Sequence, residues 1–431
     1  MTMTKAFPWA IAEHRLGNGL RVTVSRDPRV PVAAVNLWYN VGSRHDPAAG
    51  HGFAHVFEHL MFEGSAQVGK GQHSAMLSAV GGAEINATTT MDRTNYFQTV
   101  PTTALDLALW LEADRMGGLR ISQEVFDNQR VVVGNERMQH YEDQPFGLWM
   151  ELGLATVFPD GHPYRRSSMG SPDQLAHAEL SLLDSFRQAY YVPDNAVLTV
   201  VGDVIPEDVF ARAEKYFAGI PACGRQRPRD VAVEDWPMPG RTVRTAIDAK
   251  ASADRIFVLH RIPPAYTADH DALTVLATVL GRGRGSRFYR SFMTENNLAQ
   301  TEEKTAFAWD LAYGSSLFAT GMTVRRGSSY QELLAAQESL LDELAIEPVS
   351  EHELRRAKAI LEAGWLRSLT SFGARADLLA RHATQLGEPA AIHDRPTRLS
   401  AVSAADLCRA ASRYLRPENR SVLILRPTSG A

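Results

Sequence analysis

Apolar positions along the chain follow two rhythms. Residues 19–25 and 32–41 are short apolar or alternating runs bounded by Gly and Pro, the pattern of hairpin strands. Residues 122–141, 330–345 and 351–369 carry apolar side chains at helical spacing, and 53–63 is an apolar stretch without internal Pro or Gly until its end, which predicts a buried helix. In each half, strands come first and long helices follow, with no strict alternation. That order predicts an α+β fold of two similar domains, each a mostly antiparallel sheet with helices packed on one face.

The similarity of the halves has a direct trace in the sequence. Tyr190, Pro193 and Asn195 match Tyr414, Pro417 and Asn419 at a constant offset of 224 residues, and both triplets lead from a helix end through a turn into an aliphatic strand. Less closely, 32–41 matches 255–263, and an offset near half the chain length points to duplication. Between the halves, residues 219–240 hold four prolines, three glycines and clustered Arg, the composition of an exposed linker. The expected domains are therefore 1–221, a linker 222–240, and 241–431.

Charge and composition remove several classes of function. With 45 basic and 49 acidic residues the formal charge is −4, and no long basic run exists, so nucleic acid is not an expected partner. Cys223 and Cys408 are too far apart for a disulfide framework or a Cys-based zinc site. No apolar run reaches the roughly 18 residues that span a bilayer. The first twenty residues make a poor signal peptide, because the apolar patch is broken by Pro8 and ends at Glu13. The expected location is cytoplasmic as written, or periplasmic where a leader has been removed.

The chemistry concentrates in Gly52-Phe-Ala-His55-Val-Phe-Glu58-His59. On a helix, His55 and His59 are one turn apart on one face, and two such imidazoles can hold one metal ion at about 2.0–2.1 Å. Glu58 lies beside the same face, placed to reach a water rather than to act as a ligand. A pair of hydrogen-bonded core histidines is the plainer alternative. A third ligand is available on 122–141, where Val125, Gln129, Val132, Val133 and Glu136 form one stripe. A carboxylate on such a stripe needs either a cation or a metal, and its conjunction with the two histidines favours the metal.

His55-x-x-Glu58-His59 followed by Glu136 resembles the pitrilysin/insulinase-type zinc peptidases, the inverzincins, and within them the mitochondrial processing peptidase-like branch. Gly81-Gly82-x-x-x-Asn86-Ala87, Asp92-x-Thr94-x-Tyr96, His162-Pro163-Tyr164 and Tyr191 through Gly202-Asp203 extend the resemblance over nearly the whole chain. It implies two α+β halves facing each other as a clamshell. It implies Zn²⁺ held by His55, His59 and Glu136, with Glu58 as general base. It further implies that the strand carrying Asn86 and Ala87 pairs its edge with an extended peptide substrate.

Departures from the family pattern shape the functional expectation. Gln129 stands near the metal site where relatives usually carry Glu. In the second half, which has no His-x-x-Glu-His, Met293 and Gln300 occupy places where catalytically complete relatives carry an Arg and a Tyr that bind substrate and stabilise the oxyanion. Neither Met nor Gln can replace those groups. The expectation is a zinc metalloendopeptidase subunit that hydrolyses peptide bonds in extended peptides and forms a heterodimer with a paralogous subunit supplying the Arg and Tyr. A self-sufficient homo-oligomeric peptidase and a non-catalytic assembly subunit, similar to the core proteins of respiratory complexes, stay open beside it. The Gly281–Gly285 segment lacks the ending of a phosphate loop and reads as a hinge or a flexible substrate-contacting loop. Its neighbours Arg282, Arg284 and Arg287 either meet acidic substrate ends or are solvated.

Overall fold

The aliphatic and β-branched runs of the sequence pair into two sheets. In the computed structural model, which describes residues 9–48, 50–223 and 240–428, the first sheet has the order β1-β2-β6-β3-β5-β4 and the second β7-β11-β8-β10-β9. The strands are β1 (Ile11–Arg15), β2 (Arg21–Arg26), β3 (Val32–Tyr39), β4 (Ala83–Thr89), β5 (Thr94–Pro101) and β6 (Ala196–Gly202), then β7 (Thr242–Ile247), β8 (Arg255–Ile262), β9 (Ala306–Ala308), β10 (Ser316–Thr323) and β11 (Ser421–Arg426). Within each sheet all pairings are antiparallel except one, β2 with β6 and β7 with β11. Apart from β1, the two sheets share one topology. The turns that precede β6 and β11 are both short 3-10 helices, Pro193–Asn195 and Pro417–Asn419, at the offset seen in the sequence.

Four helices position the site and its surroundings: α1 (Phe53–Leu60), α2 (Gln123–Arg137), α3 (Trp149–Val157) and α4 (Phe372–Gln385). The helices expected at 330–345 and 351–369 form as Tyr330–Leu344 and Glu351–Thr370. Among the described residues no helix is long and apolar enough to cross a membrane.

The compact units are not consecutive in sequence. One comprises Met1–Gly134, Ser168–Arg229 and Leu366–Arg395; the other comprises Asn135–Ser167, Asp230–Trp365 and Pro396–Ala431. The spans 1–221 and 241–431 expected from the sequence miss this exchange, and most of the expected linker, 224–239, lies outside the described residues. The reason for the exchange is visible in the central strands. Along β3, Ala33, Val35, Leu37 and Tyr39 join the core on one face, as the expected one-sided helix layer requires. Ala34, Asn36 and Trp38 on the opposite face are buried as well. That second face is covered by α4, which lies on β3 and β6 and fixes itself by Asp377 accepting from Asn95 (3.0 Å).

The second unit solves the same problem with the equivalent helix. There α3 lies on β11 and β8. Trp149 stacks on Phe257 of β8 with ring centroids 4.7 Å apart and 7° between planes. Trp149 and Phe372 open α3 and α4 at almost the repeat offset, so each half lends the same helix to the other half's sheet.

Candidate metal centre

Helix α1 begins at Gly52, whose φ of 102° is open to glycine at little cost. The Asp46 carboxylate caps it, accepting from the N–H groups of Gly52 (2.7 Å) and Ala54 (3.0 Å). From behind, Tyr191 donates to the Ala54 carbonyl (3.2 Å) and Tyr96 to the Phe57 carbonyl (3.2 Å), while the Phe57 and Tyr191 rings stack at 4.5 Å. Burial pushes both phenols well above their usual range, with the Glu58 charge adding to the shift, so each stays a neutral donor. The helix that carries the two histidines is thus held at its start and along its back.

One turn apart, the His55 and His59 rings meet edge to face with centroids 4.9 Å apart. Glu136 reaches them from the last turn of α2. Ligand atoms of His55, His59 and Glu136 all lie within 4.8 Å of one another, with His55 buried and the other two half-buried. Two imidazoles and one carboxylate are the donor set of a catalytic zinc site with a position left open, and the three side chains fit that ion. The structure brings together the three residues expected from the sequence as ligands.

The end of α2 is tied down just beyond Glu136. Arg137 donates to Glu142 (2.8 Å) and Glu151 (2.7 Å), and Arg130 donates to the carbonyls of Leu175 (3.0 Å) and Ala176 (2.8 Å). After Arg137 the chain widens into a π-helical turn, Met138–Glu142, a form frequent at functional sites. The helix expected at 122–141 thus ends four residues early as an α-helix. Its buried stripe also differs from expectation: Val132 is 44% exposed, and Phe126, Gln129, Val133 and Arg137 are the buried members. Gln129 sits two turns before Glu136 on the inner side.

Glu58 is half-buried between the histidines. Its charge acts on Arg93, a half-buried cation that also interacts with Asp377 of α4 and donates to the Thr88 carbonyl (2.7 Å) and Asn95 (2.9 Å). Sequence reasoning missed Arg93; its only signal was its place between Asp92 and Thr94. Asn86 and Ala87 lie on β4, which ends the sheet and pairs only with β5 among the described residues. That strand runs beside α1. Its free edge offers unpaired backbone groups, and Asn86 is exposed while Ala87 is buried.

In the second unit, Met293 is buried in the core, where its sulfur accepts from the Glu302 N–H (3.3 Å). Gln300 is exposed and donates to the Val324 carbonyl (3.3 Å). Arg287 pairs with Glu353 (2.9 Å) and Glu343 (3.3 Å), and Arg284 with Glu303 (3.4 Å). Arg287 is held by its ion pairs, whereas Arg284, with its side chain 77% exposed, stays solvated.

The α+β fold of two units and the His, His, Glu cluster have counterparts among known metallopeptidases. The family model described as "Insulinase (Peptidase family M16)" matches residues 21–162, and that described as "Peptidase M16 inactive domain" matches 179–361. The chain belongs to peptidase family M16. The zinc protease PqqE of Helicobacter pylori is 27% identical over 423 residues, spanning 96% of this chain and 92% of its own. The mitochondrial-processing peptidase subunit beta of Lentinula edodes is 25% identical over 424 residues, spanning 93% of this chain and 86% of its own. A solved structure of a protease from Helicobacter pylori has a TM-score of 0.89 at 25% identity, covering 97% of this chain and 100% of that one. The inactive-domain match falls largely on the half without the metal cluster.

Proposed function

We propose that this chain is the zinc-bearing subunit of a metalloendopeptidase that cleaves extended peptides and is completed by a paralogous subunit. The observation that carries the reading is the convergence of His55, His59 and Glu136 within 4.8 Å, with Glu58 on the same helix as the histidines. His55, His59 and Glu136 would hold a zinc ion, which would lower the pKa of a bound water towards about 7 and polarise the scissile carbonyl. Glu58 takes the proton of the attacking water and passes it to the leaving amine. His55, His59 and Glu136 are the ligands, and the free edge of β4 at Asn86 and Ala87 takes the peptide backbone as an added strand. Gln129, an amide where relatives carry a carboxylate, orients the ligand shell without adding charge.

The proposed second subunit rests on two positions of the second unit. Oxyanion stabilisation asks for a hydrogen-bond donor. Met293 has none and is built into the core, and Gln300 spends its amide on a main-chain carbonyl. A paralogue carrying Arg and Tyr at these places supplies the missing donors, and the Lentinula edodes relative bears the name of one subunit of such an assembly.

Metal analysis and peptide cleavage test the reading together. His59→Ala should lose zinc, whereas Glu58→Gln should keep it and lose hydrolysis. The wild-type chain should cleave peptides weakly alone and strongly after mixing with the paralogue. Full turnover by the chain alone would favour a self-sufficient enzyme, and retained zinc in His59→Ala would overturn the ligand assignment.

A further inference from the structure

Next to Glu136 the second unit contains a cavity of about 670 Å³ that the reaction described above does not use. Its walls are Tyr141, Phe146, Trp149, Phe257 and Phe307, with Arg255 and Lys304 contributing positive charge. The aromatic wall is ordered by direct ring contacts. Trp149 stacks flat on Phe257 and meets Phe307 edge-on with centroids 5.9 Å apart. Phe257 in turn lies over Gly321, where a Cβ would come within 2.6 Å of the ring, so the flat wall requires glycine at that point.

Phe146 gives a second, independent observation. Its φ is +62°, a left-handed conformation that is a strain for a bulky residue. The strain is held by the Asp248 carboxylate, which accepts the Phe146 N–H at 2.5 Å. The adjoining Gly147 allows the turn to close, since a Cβ there would stand 2.0 Å from the Tyr141 carbonyl oxygen. Backbone strain maintained by a half-buried acceptor, at the lip of an aromatic cavity beside Glu136, is arranged to present the Phe146 ring to something.

The charges decide what that is. Arg255 is neutralised by Glu302 through two contacts (3.2 and 2.9 Å) and lies over the Phe146 and Phe257 rings. Lys304 makes no ion pair among the described residues, and its ammonium lies 5.9 Å from the Phe307 ring centroid. The only carboxylate in the lining is Glu136, which belongs to the metal cluster. A cavity of this size with one aromatic wall takes an aromatic ligand side chain against that wall, and Lys304 beside it repels a basic one. We infer that this cavity is a specificity subsite for an aromatic side chain of the peptide substrate and that it discriminates against Arg and Lys. The inference rests on the proposed function in taking the ligand to be a peptide and in leaving the Glu136 charge to the metal.

The test separates the two. Two fluorescein-labelled decapeptides identical except for one central Phe or Arg are titrated by fluorescence anisotropy against full-length Glu58→Gln protein, with and without chelator, so that no cleavage is needed. The Phe peptide should bind about tenfold more tightly, the scale of one good aromatic contact. Phe146→Gly, which relieves the strained φ, should reduce that preference to about threefold or less without lowering the melting temperature. Lys304→Glu, an exposed change, should raise affinity for the Arg peptide. Equal affinities in the parent protein, no binding of either peptide, or a preference unchanged in Phe146→Gly would overturn the subsite, whatever the chain's activity. Absence of hydrolysis with the preference intact would overturn only the peptidase reading.

Discussion

Replacing Arg375 by Met should test whether the exchanged helix α4 is held by charge or only by shape. The Arg375 side chain is fully buried and donates to Asp27 at 2.7 Å, and Asp27 is itself 1% exposed. The guanidinium lies 3.9 Å from the Trp9 ring centroid and 5.3 Å from that of Phe372. Burial alone would raise the Asp27 carboxyl, but hydrogen bonds from Arg29 and Arg375 outweigh it and hold the pKa at about 2, against 3.8 for a free Asp. That difference corresponds to about 2 kcal/mol shared by the two arginines. Arg29 keeps its own contacts to Asp27 (2.8 and 2.6 Å) in the variant, so only part of this is lost. Adding a desolvated cation–π contact of about 2 kcal/mol gives a loss of about 3 kcal/mol, at the low end for breaking a buried pair.

For a unit of roughly 200 residues such a loss lowers the melting temperature by about 6–12 °C. Scanning calorimetry of the full chain at pH 7 measures it. The sign with pH is fixed: a carboxyl whose folded pKa is depressed contributes its full stability above about 4 and loses it as pH falls through about 2. The gap between parent and Arg375→Met should therefore narrow on acidification. A shift under 2 °C at pH 7, or a gap that widens in acid, would refute the reasoning.

Three other outcomes follow from the same geometry. Glu353 accepts from Arg287 and from the Ser350 N–H and hydroxyl, which overcome its burial and hold its carboxyl at about 2; Glu353→Gln should cost about 3 kcal/mol at pH 7 by urea unfolding, with the effect fading as pH falls from about 4.5 through 2. Tyr191→Phe removes the hydroxyl that donates to Ala54 in the histidine helix, so it should cost about 1 kcal/mol and weaken zinc retention in chelator competition. Met293→Arg places a cation in the core of the second unit and should destabilise it by about 3 kcal/mol or more, whether or not Gln300→Tyr accompanies it; a gain of independent peptidase activity with unchanged melting temperature would contradict that.

Helix and strand positions were legible because they are written in local periodicity, and the His55, His59 and Glu136 cluster was nearly so. His55 and His59 share a face through the helical repeat alone, and Glu136 stood out as a carboxylate on an apolar stripe. The duplicated turn at Pro193 and Pro417 also declared itself in sequence and returned as matched 3-10 helices before matched strands.

What only tertiary structure decided concerns residues whose meaning depends on partners far along the chain. Asp27 acquires its role from Arg375, and Asn95 from Asp377, because α4 crosses to the sheet of the other half; no local pattern marks a helix as exchanged. Val132 looked like part of the buried stripe and is exposed, since a helix shows which residues align but not which side its neighbours cover. Phe146, Trp149 and Phe257 carry no local mark of a shared role; folding stacks Trp149 on Phe257 and brings Phe146 to the same cavity as Glu136. The sequence by itself determined the periodic elements, the repeat and the three candidate ligands. The choice of surface each element covers was left to packing, where burial energy is set by contacts that have no fixed spacing in the chain.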